Sequence, residues 1–412
     1  MIDSGGHDWR WRIAIAGALL VSIAGRLLAL WIAGDRVPLG DPANYEIIAR
    51  NLCAGRGMVI DDPKIMADLR AYYPPGYPLL LAAVCLVLPL KAATFALLNT
   101  MIDAVAALVL AKLGARLGFA GAGILAALTY FAWPTQVLLA PLAYKEGLVA
   151  LLVVAQCLVV LDADESWRKA VGFGLLTGIA TLVQPALLLL APLLGLAVRG
   201  RFPTWSSWVR AMAIAVAVTT LTLLPWWIRN WLVFHAFVPL TTAGPSGLWI
   251  GVASPAGWVQ LPREFLLGGE LESARLFAAE SWRLIVADPV GYLLGSLGKI
   301  PAAFAQSDHP IGLLFTMQPH RHGALLMRIG WLPTLATLAM LIAAAWGILR
   351  NGPPQLNRMI LAALAYIPLV AMWFEFSARH RYYLTPLLLL AAATLAARDP
   401  DSKRPESKGE GS

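Results

Sequence analysis

Apolar runs of membrane-crossing length recur along this chain, and they restrict its fold more than any motif does. They occupy about 11–33, 75–90, 92–113, 119–139, 146–162, 170–199, 209–229, 324–349, 359–375 and 382–397. A helix needs roughly 18 or more apolar residues to cross hydrocarbon. It satisfies its own backbone where no water can, so an all-helical bundle follows. The chain is 59% hydrophobic and 14% charged, against roughly 45–50% and 25% in soluble domains.

The net charge of +8 does not indicate nucleic acid, because the Lys and Arg residues stand at the ends of apolar runs, where they signal topology. Arg10 and Arg12 precede the stretch from Ile13 to Ala33, which is too long for a signal-peptide core and reads as the first spanning helix. Lys112 with Arg116, Arg168 with Lys169, Arg199 with Arg201, Arg350 with Arg358, and the tail from Arg398 should all be cytoplasmic. Counting each apolar run as one crossing violates that rule. Two local readings repair it. Pro74–Leu90 opens Pro74-Pro75-Gly76-Tyr77-Pro78, which starts a helix too short to cross. Ala170–Val198 is basic at both ends and broken at Gln184-Pro185, which suits two short helices meeting outside. Ten crossings result, with both termini cytoplasmic.

The expected architecture is one integral domain over 1–398, with external loops at about 34–91 and 230–323 and a disordered cytoplasmic tail at 399–412. Within the long loop, Leu271, Ala274, Phe277, Ala278, Trp282 and Ile285 recur at helical spacing, which suits a helix on the membrane surface. Cys53, Cys85 and Cys157 have no pairing or metal-ligand spacing, so no disulfide framework is expected.

Chemistry-bearing residues concentrate in the external turns. Asp41 in Gly40-Asp41-Pro42 follows the first helix; it is also placed to cap the helix Pro42–Leu52. Glu146 enters a helix from a short external turn, where the helix dipole alone favours an acid. Arg229, Arg379, Arg381, Lys145 and Arg70 lie on the same side. Arginines snorkelling at helix ends are ordinary, but accumulation of cations outside opposes the positive-inside bias and suits an anionic headgroup. His309, His320 and His322 match no metal signature, so no metal is indicated, though a divalent ion is compatible with the sequence. No glycine-rich nucleotide loop is present.

In these residues the chain resembles the polytopic GT-C glycosyltransferases, the group of protein O-mannosyltransferases and lipid A aminoarabinose transferases. The resemblance covers about 10–398. It rests on Gly40-Asp41 with Tyr45, on Tyr73-Pro74-Pro75-Gly76-Tyr77-Pro78-Leu79, on Gly178 through Gln184-Pro185, on Pro225-Trp226 with Arg229-Asn230, and on Arg379–Arg381 before Pro386. It implies two juxtamembrane helices in the first external loop and a polyprenyl-phosphate sugar donor. It also implies an essential carboxylate at Asp41 and a second acid at Glu146. Tyr73 stands where many relatives have His or Lys, and Gln184 where many have Arg. The expected reaction is inverting transfer to an envelope acceptor, a glycolipid, polysaccharide or protein. Asp41 is the base, Glu146 supports it, and Arg229, Arg379, Arg381, Lys145 and Arg70 hold the phosphate. Tyr45, Tyr73, Tyr77, Gln184 and Asn230 line the pocket. The expected location is the inner membrane, with the site on the extracytoplasmic side. A transporter or flippase of lipid-linked substrates is the alternative; it would need polar groups near the bilayer midplane, of which Asp103 is the main one.

Overall fold

The first apolar run folds as α1, Gly5–Ala33. A computed structural model of the chain describes residues 5–34, 40–61, 68–254, 261–305, 309–317, 319–373 and 379–396. Helix α2 spans Asp41–Cys53 and helix α3 spans Gly76–Cys85. With ten residues α3 is far short of the length a crossing needs. The N-cap of α2 is Gly40, at φ 79°, a conformation that favours glycine. Asp41 is therefore the first helical residue and not the cap.

One expectation fails here. Cys53 and Cys85 form a disulfide, with Cα atoms 6.2 Å apart, joining the ends of α2 and α3. A separation of 32 residues carries no local signature. The pairing is set by the side-by-side packing of the two helices, through rings such as Tyr45 and Tyr77, 5.2 Å apart. Cys157 is free and buried.

The chain continues through α4 (Ala92–Arg116), α5 (Ala120–Phe131), α6 (Pro134–Leu139), α7 (Glu146–Leu161) and α8 (Trp167–Val183). At Gln184 the backbone becomes extended, and after a 3₁₀ turn at Pro185–Leu189 helix α9 runs Leu190–Ala197. The expected break at Gln184-Pro185 is present. Helix α10, Trp205–Phe234, starts from a capping box at Thr204 and carries Pro225 inside it. Six shorter helices follow: α11 (Ala243–Ala253), α12 (Glu270–Ala287), α13 (Pro289–Gly298), α14 (Ile300–Ala305), α15 (His309–Met317) and α16 (Pro319–Ile329). Then come α17 (Leu332–Arg350), α18 (Pro354–Trp373), α19 (Arg379–Tyr382) and α20 (Thr385–Ala393). Among the described residues the only β pairing is the isolated bridge of Ile60 with Leu69.

Among the described residues six helical segments are long and apolar enough to cross a membrane: Arg12–Ala33, Ala92–Arg116, Ala120–Leu139, Trp205–Phe234, His322–Arg350 and Pro354–Trp373. Small residues let helices meet closely, as in membrane bundles generally. A Cβ on Gly174 would strike the Ala215 carbonyl, and Gly114 and Gly123 face each other across α4 and α5. Asp103, the mid-helix acid, sits in a closed polar knot. Arg26 Nη2 donates to its Oδ2 at 2.7 Å and Gln136 Nε2 to its Oδ1 at 3.1 Å, while Arg26 also donates to the Phe131 carbonyl at 2.9 Å.

The helix ends sort into two layers. Arg116 pairs with Asp162 at 2.6 Å, and Arg201 donates to the Ala163 carbonyl, so the ends of α4 and α7 meet with the turn after α9. The opposite layer holds α2, α3, the start of α7, and α19. The long-loop helix α12 buries Phe277 against Trp249 and Phe265 and exposes Trp282 and Val286.

Candidate active site

Asp41 opens α2, Tyr73 lies just before α3, and Arg379 opens α19. The fold brings these three together across 338 residues of sequence. Tyr73 donates its hydroxyl hydrogen to Asp41 Oδ1 at 2.7 Å, and Arg379 Nη1 donates to Oδ2 at 2.7 Å. Asn44, one turn along α2, donates to the Tyr73 oxygen at 3.0 Å. The pair is open to its surroundings: the side chains of Arg379 and Asp41 are 26% and 29% exposed.

Two further charges enter from the turn before α7. The Lys145 ammonium lies over the Tyr45 ring, 5.5 Å from its centroid. Burial pushes its pKa down, and the Glu146 and Asp41 carboxylates only partly offset that. Burial also pushes Asp41 up, but Arg379, Lys145 and the bonds from Tyr73 and Arg379 outweigh it, and its carboxyl stays below the ordinary carboxylate value. Asp41 is thus ionised at neutral pH because it stands among cations and donors. Glu146 opens α7 and is buried, and its Oε2 accepts no bond among the described residues. Tyr45 Oη and Gln184 Oε1 are likewise buried without a partner there. Gln184 directly follows Leu182 and Val183, which pack on Gly76 beside Tyr77. Buried polar atoms are nearly always satisfied, so these are groups a bound molecule could satisfy. Among the described residues no three His, Cys, Asp or Glu side chains gather as metal ligands.

No family profile and no curated protein sequence matches the chain. Solved structures do. The oligosaccharyltransferase of Archaeoglobus fulgidus, as its complex with Zn and sulfate, aligns with 93% of this chain at 17% identity and a TM-score of 0.52, over 48% of its own length. The oligosaccharyltransferase AglB from Archaeoglobus fulgidus, with an inhibitory peptide and a dolichol-phosphate, aligns with 92% of this chain at 16% identity and a TM-score of 0.50, over 50% of its length. The likeness to these structures is one of fold. The chain spans about half the length of these oligosaccharyltransferase structures. ArnT from Cupriavidus metallidurans bound to undecaprenyl phosphate aligns with 92% of this chain at 16% identity and a TM-score of 0.43, over 77% of ArnT.

Not every residue expected in the GT-C site reaches Asp41. Arg229 donates to Asn230 Oδ1 at 2.9 Å and to the Met58 carbonyl at 3.2 Å, and the charges acting on it are Glu270 and Arg70. Asn230 is buried and donates to the Val238 carbonyl, anchoring the turn after α10. Arg70 is exposed, and its backbone N–H donates to Glu270. These three form a neighbouring cluster around Glu270, not the surroundings of Asp41. Arg381, two residues beyond Arg379, is buried beside the Tyr382 ring, and burial pushes its pKa down to about 10. It is not among the charges that act on Asp41. Glu375 and Asp308 lie outside the described residues, as does the tail at 399–412.

Sequence reasoning missed three residues. Glu270 binds the N–H groups of Arg70 and Ala71 and the Thr242 hydroxyl, tying the long loop to the first one just before Tyr73. Tyr144 accepts from Arg379 at 3.4 Å and is joined to His309 Nε2 at 2.8 Å. Tyr144 had a usable signal, since it directly precedes Lys145-Glu146. Glu270 and His309 had none, because each owes its place to contacts between distant loops.

Proposed function

We propose that this chain is a membrane glycosyltransferase that moves a sugar from a polyprenyl-phosphate donor to an extracytoplasmic acceptor with inversion. The observation that carries the reading is the part-exposed Asp41 carboxylate held between Tyr73 and Arg379, with Lys145 and Glu146 beside it. A lipid-phosphate sugar already has its leaving group, so the protein must take one proton and receive one phosphate.

The arrangement suits both tasks. The donor phosphate draws Arg379 and Lys145 away from Asp41, which frees the carboxylate and raises its basicity from a depressed resting value. The acceptor hydroxyl oxygen then attacks the anomeric carbon opposite the phosphate. The carbon–oxygen bond to phosphate breaks with its electron pair leaving on the phosphate, and the hydroxyl proton passes to Asp41. A positioned base contributes about 10²–10⁴-fold, and a preorganised donor at a departing anion about 3–4 kcal/mol. Glu146 orients the acceptor, and Tyr45, Tyr77 and Gln184 line the same enclosure.

The location is read as the extracytoplasmic layer of an inner-membrane bundle with ten crossings and cytoplasmic termini. Two features support it. The Cys53–Cys85 disulfide lies in the layer of Asp41, and disulfides persist in oxidising compartments. Arg116, Lys169, Arg199, Arg201 and Arg350 gather at the other layer. The transporter reading loses its main support because Asp103 is bound on both oxygens inside the bundle. Purified protein given a prenyl-phosphate sugar should release prenyl phosphate when acceptor is added. A transporter releases none.

A further inference from the structure

We propose that His309 is a positioning residue of this site, acting through Tyr144 on Arg379. The inference rests on the transfer reading above and adds a residue from a distant loop to it.

The argument begins with donors and acceptors. Arginine can only donate, so the 3.4 Å contact from Arg379 Nη1 uses the Tyr144 oxygen as acceptor. The phenol keeps its own hydrogen, because burial first, and the nearby Glu146 carboxylate second, push its pKa well above the usual tyrosine value. That hydrogen is left to give, and His309 Nε2 lies 2.8 Å away. A neutral His309 with Nε2 unprotonated completes a directed chain, Arg379 to Tyr144 to His309. The chain fixes one guanidinium nitrogen that also grips Asp41 Oδ2. Arg379 is held from two sides, and its fork faces Asp41 instead of swinging freely.

The placement of His309 is itself built. It opens α15, whose Ile311, Leu314 and Met317 pack with Leu326 of α16 against Ile32 and Ala33 at the end of α1 and Leu139 and Leu142 beside α6. Tyr144 and Tyr382 belong to the same apolar cluster. His322 of α16 lies against Trp31, with ring centroids 4.2 Å apart and the rings tilted by 52°. The long loop is thereby seated against the first helix and delivers one imidazole to the arginine of the candidate site.

The test is a set of variants assayed for prenyl-phosphate release: His309→Leu, His309→Gln, Tyr144→Phe and the double variant His309→Leu/Tyr144→Phe. Gln can still accept the phenol hydrogen; Leu cannot. His309→Leu and Tyr144→Phe should each lower kcat about tenfold, with the KM for donor changed much less. The double variant should be no worse than the poorer single one, and His309→Gln should recover most of the rate. Independent, multiplying losses, an unchanged rate in His309→Leu, or no rescue by Gln would overturn the inference. Failure of the transfer reading looks different: the unaltered protein would release no prenyl phosphate, or Asp41→Asn would retain full turnover.

Discussion

Two aspartate–arginine pairs in this chain have the same length and opposite surroundings. Asp103 and Arg26 meet at 2.7 Å with side chains 2% and 6% exposed. Asp41 and Arg379 meet at 2.7 Å with 29% and 26%. The first pair is closed off by Gln136 and by backbone, and Gly147 packs so near that a Cβ there would lie 2.9 Å from Asp103 Oδ1. The second is joined by a tyrosine on each side and stands beside Lys145 and Glu146, which belong to a different helix start. Equal geometry therefore carries different roles. An enclosed pair locks helices together, while an accessible pair can be opened by a ligand of matching charge.

Breaking the enclosed pair should have the largest effect on folding. Asp103→Leu leaves Arg26 uncompensated inside the bundle and should cost about 3–5 kcal/mol, seen as a lower midpoint of unfolding in detergent. The double change Arg26→Met/Asp103→Leu should recover much of that loss, which would confirm a structural role. Breaking the accessible pair should move chemistry instead. Arg379→Ala should lower turnover about 10²–10³-fold, with a much smaller change in the unfolding midpoint.

The acid limb of kcat/KM sharpens the contrast further. Asp41 is held below the ordinary carboxylate value, so its ionised form persists at neutral pH and is lost only as pH falls through that depressed value. Removing Arg379 leaves burial less opposed, so the limb should move to higher pH. An unmoved limb would mean that some other group titrates. The smallest effect is expected at Arg229, which is bound to Asn230 and the Met58 carbonyl. Arg229→Ala should leave donor KM within about twofold; a large rise would bring the Glu270 cluster into the donor site.

The legible parts of the sequence were those with local causes. Pro74-Pro75-Gly76 announced a short α3, Gln184-Pro185 a broken span, and Gly40-Asp41-Pro42 a helix start. Lys145 and Arg379 could be nominated because cations at an external turn run against the usual bias; Asp41, Glu146 and Tyr73 could be nominated through the motifs that carry the family resemblance. Three assignments depended on distance alone and were not legible. Nothing near Arg229 distinguishes an arginine that faces Asp41 from one that faces Glu270. Cys53 and Cys85 pair because α2 lies on α3, and His309 reaches Tyr144 because α15 rests on α1 and α6. The cap reading of Asp41 gave way because Gly40 takes the cap position in a left-handed conformation open to glycine.

The most direct test is single-turnover release of prenyl phosphate by purified Asp41→Asn beside the unaltered protein. Asn keeps the shape but cannot take a proton at neutral pH. The rate should fall about 10²–10⁴-fold, with donor binding and the unfolding midpoint retained. Turnover near the unaltered rate would contradict the account at its centre.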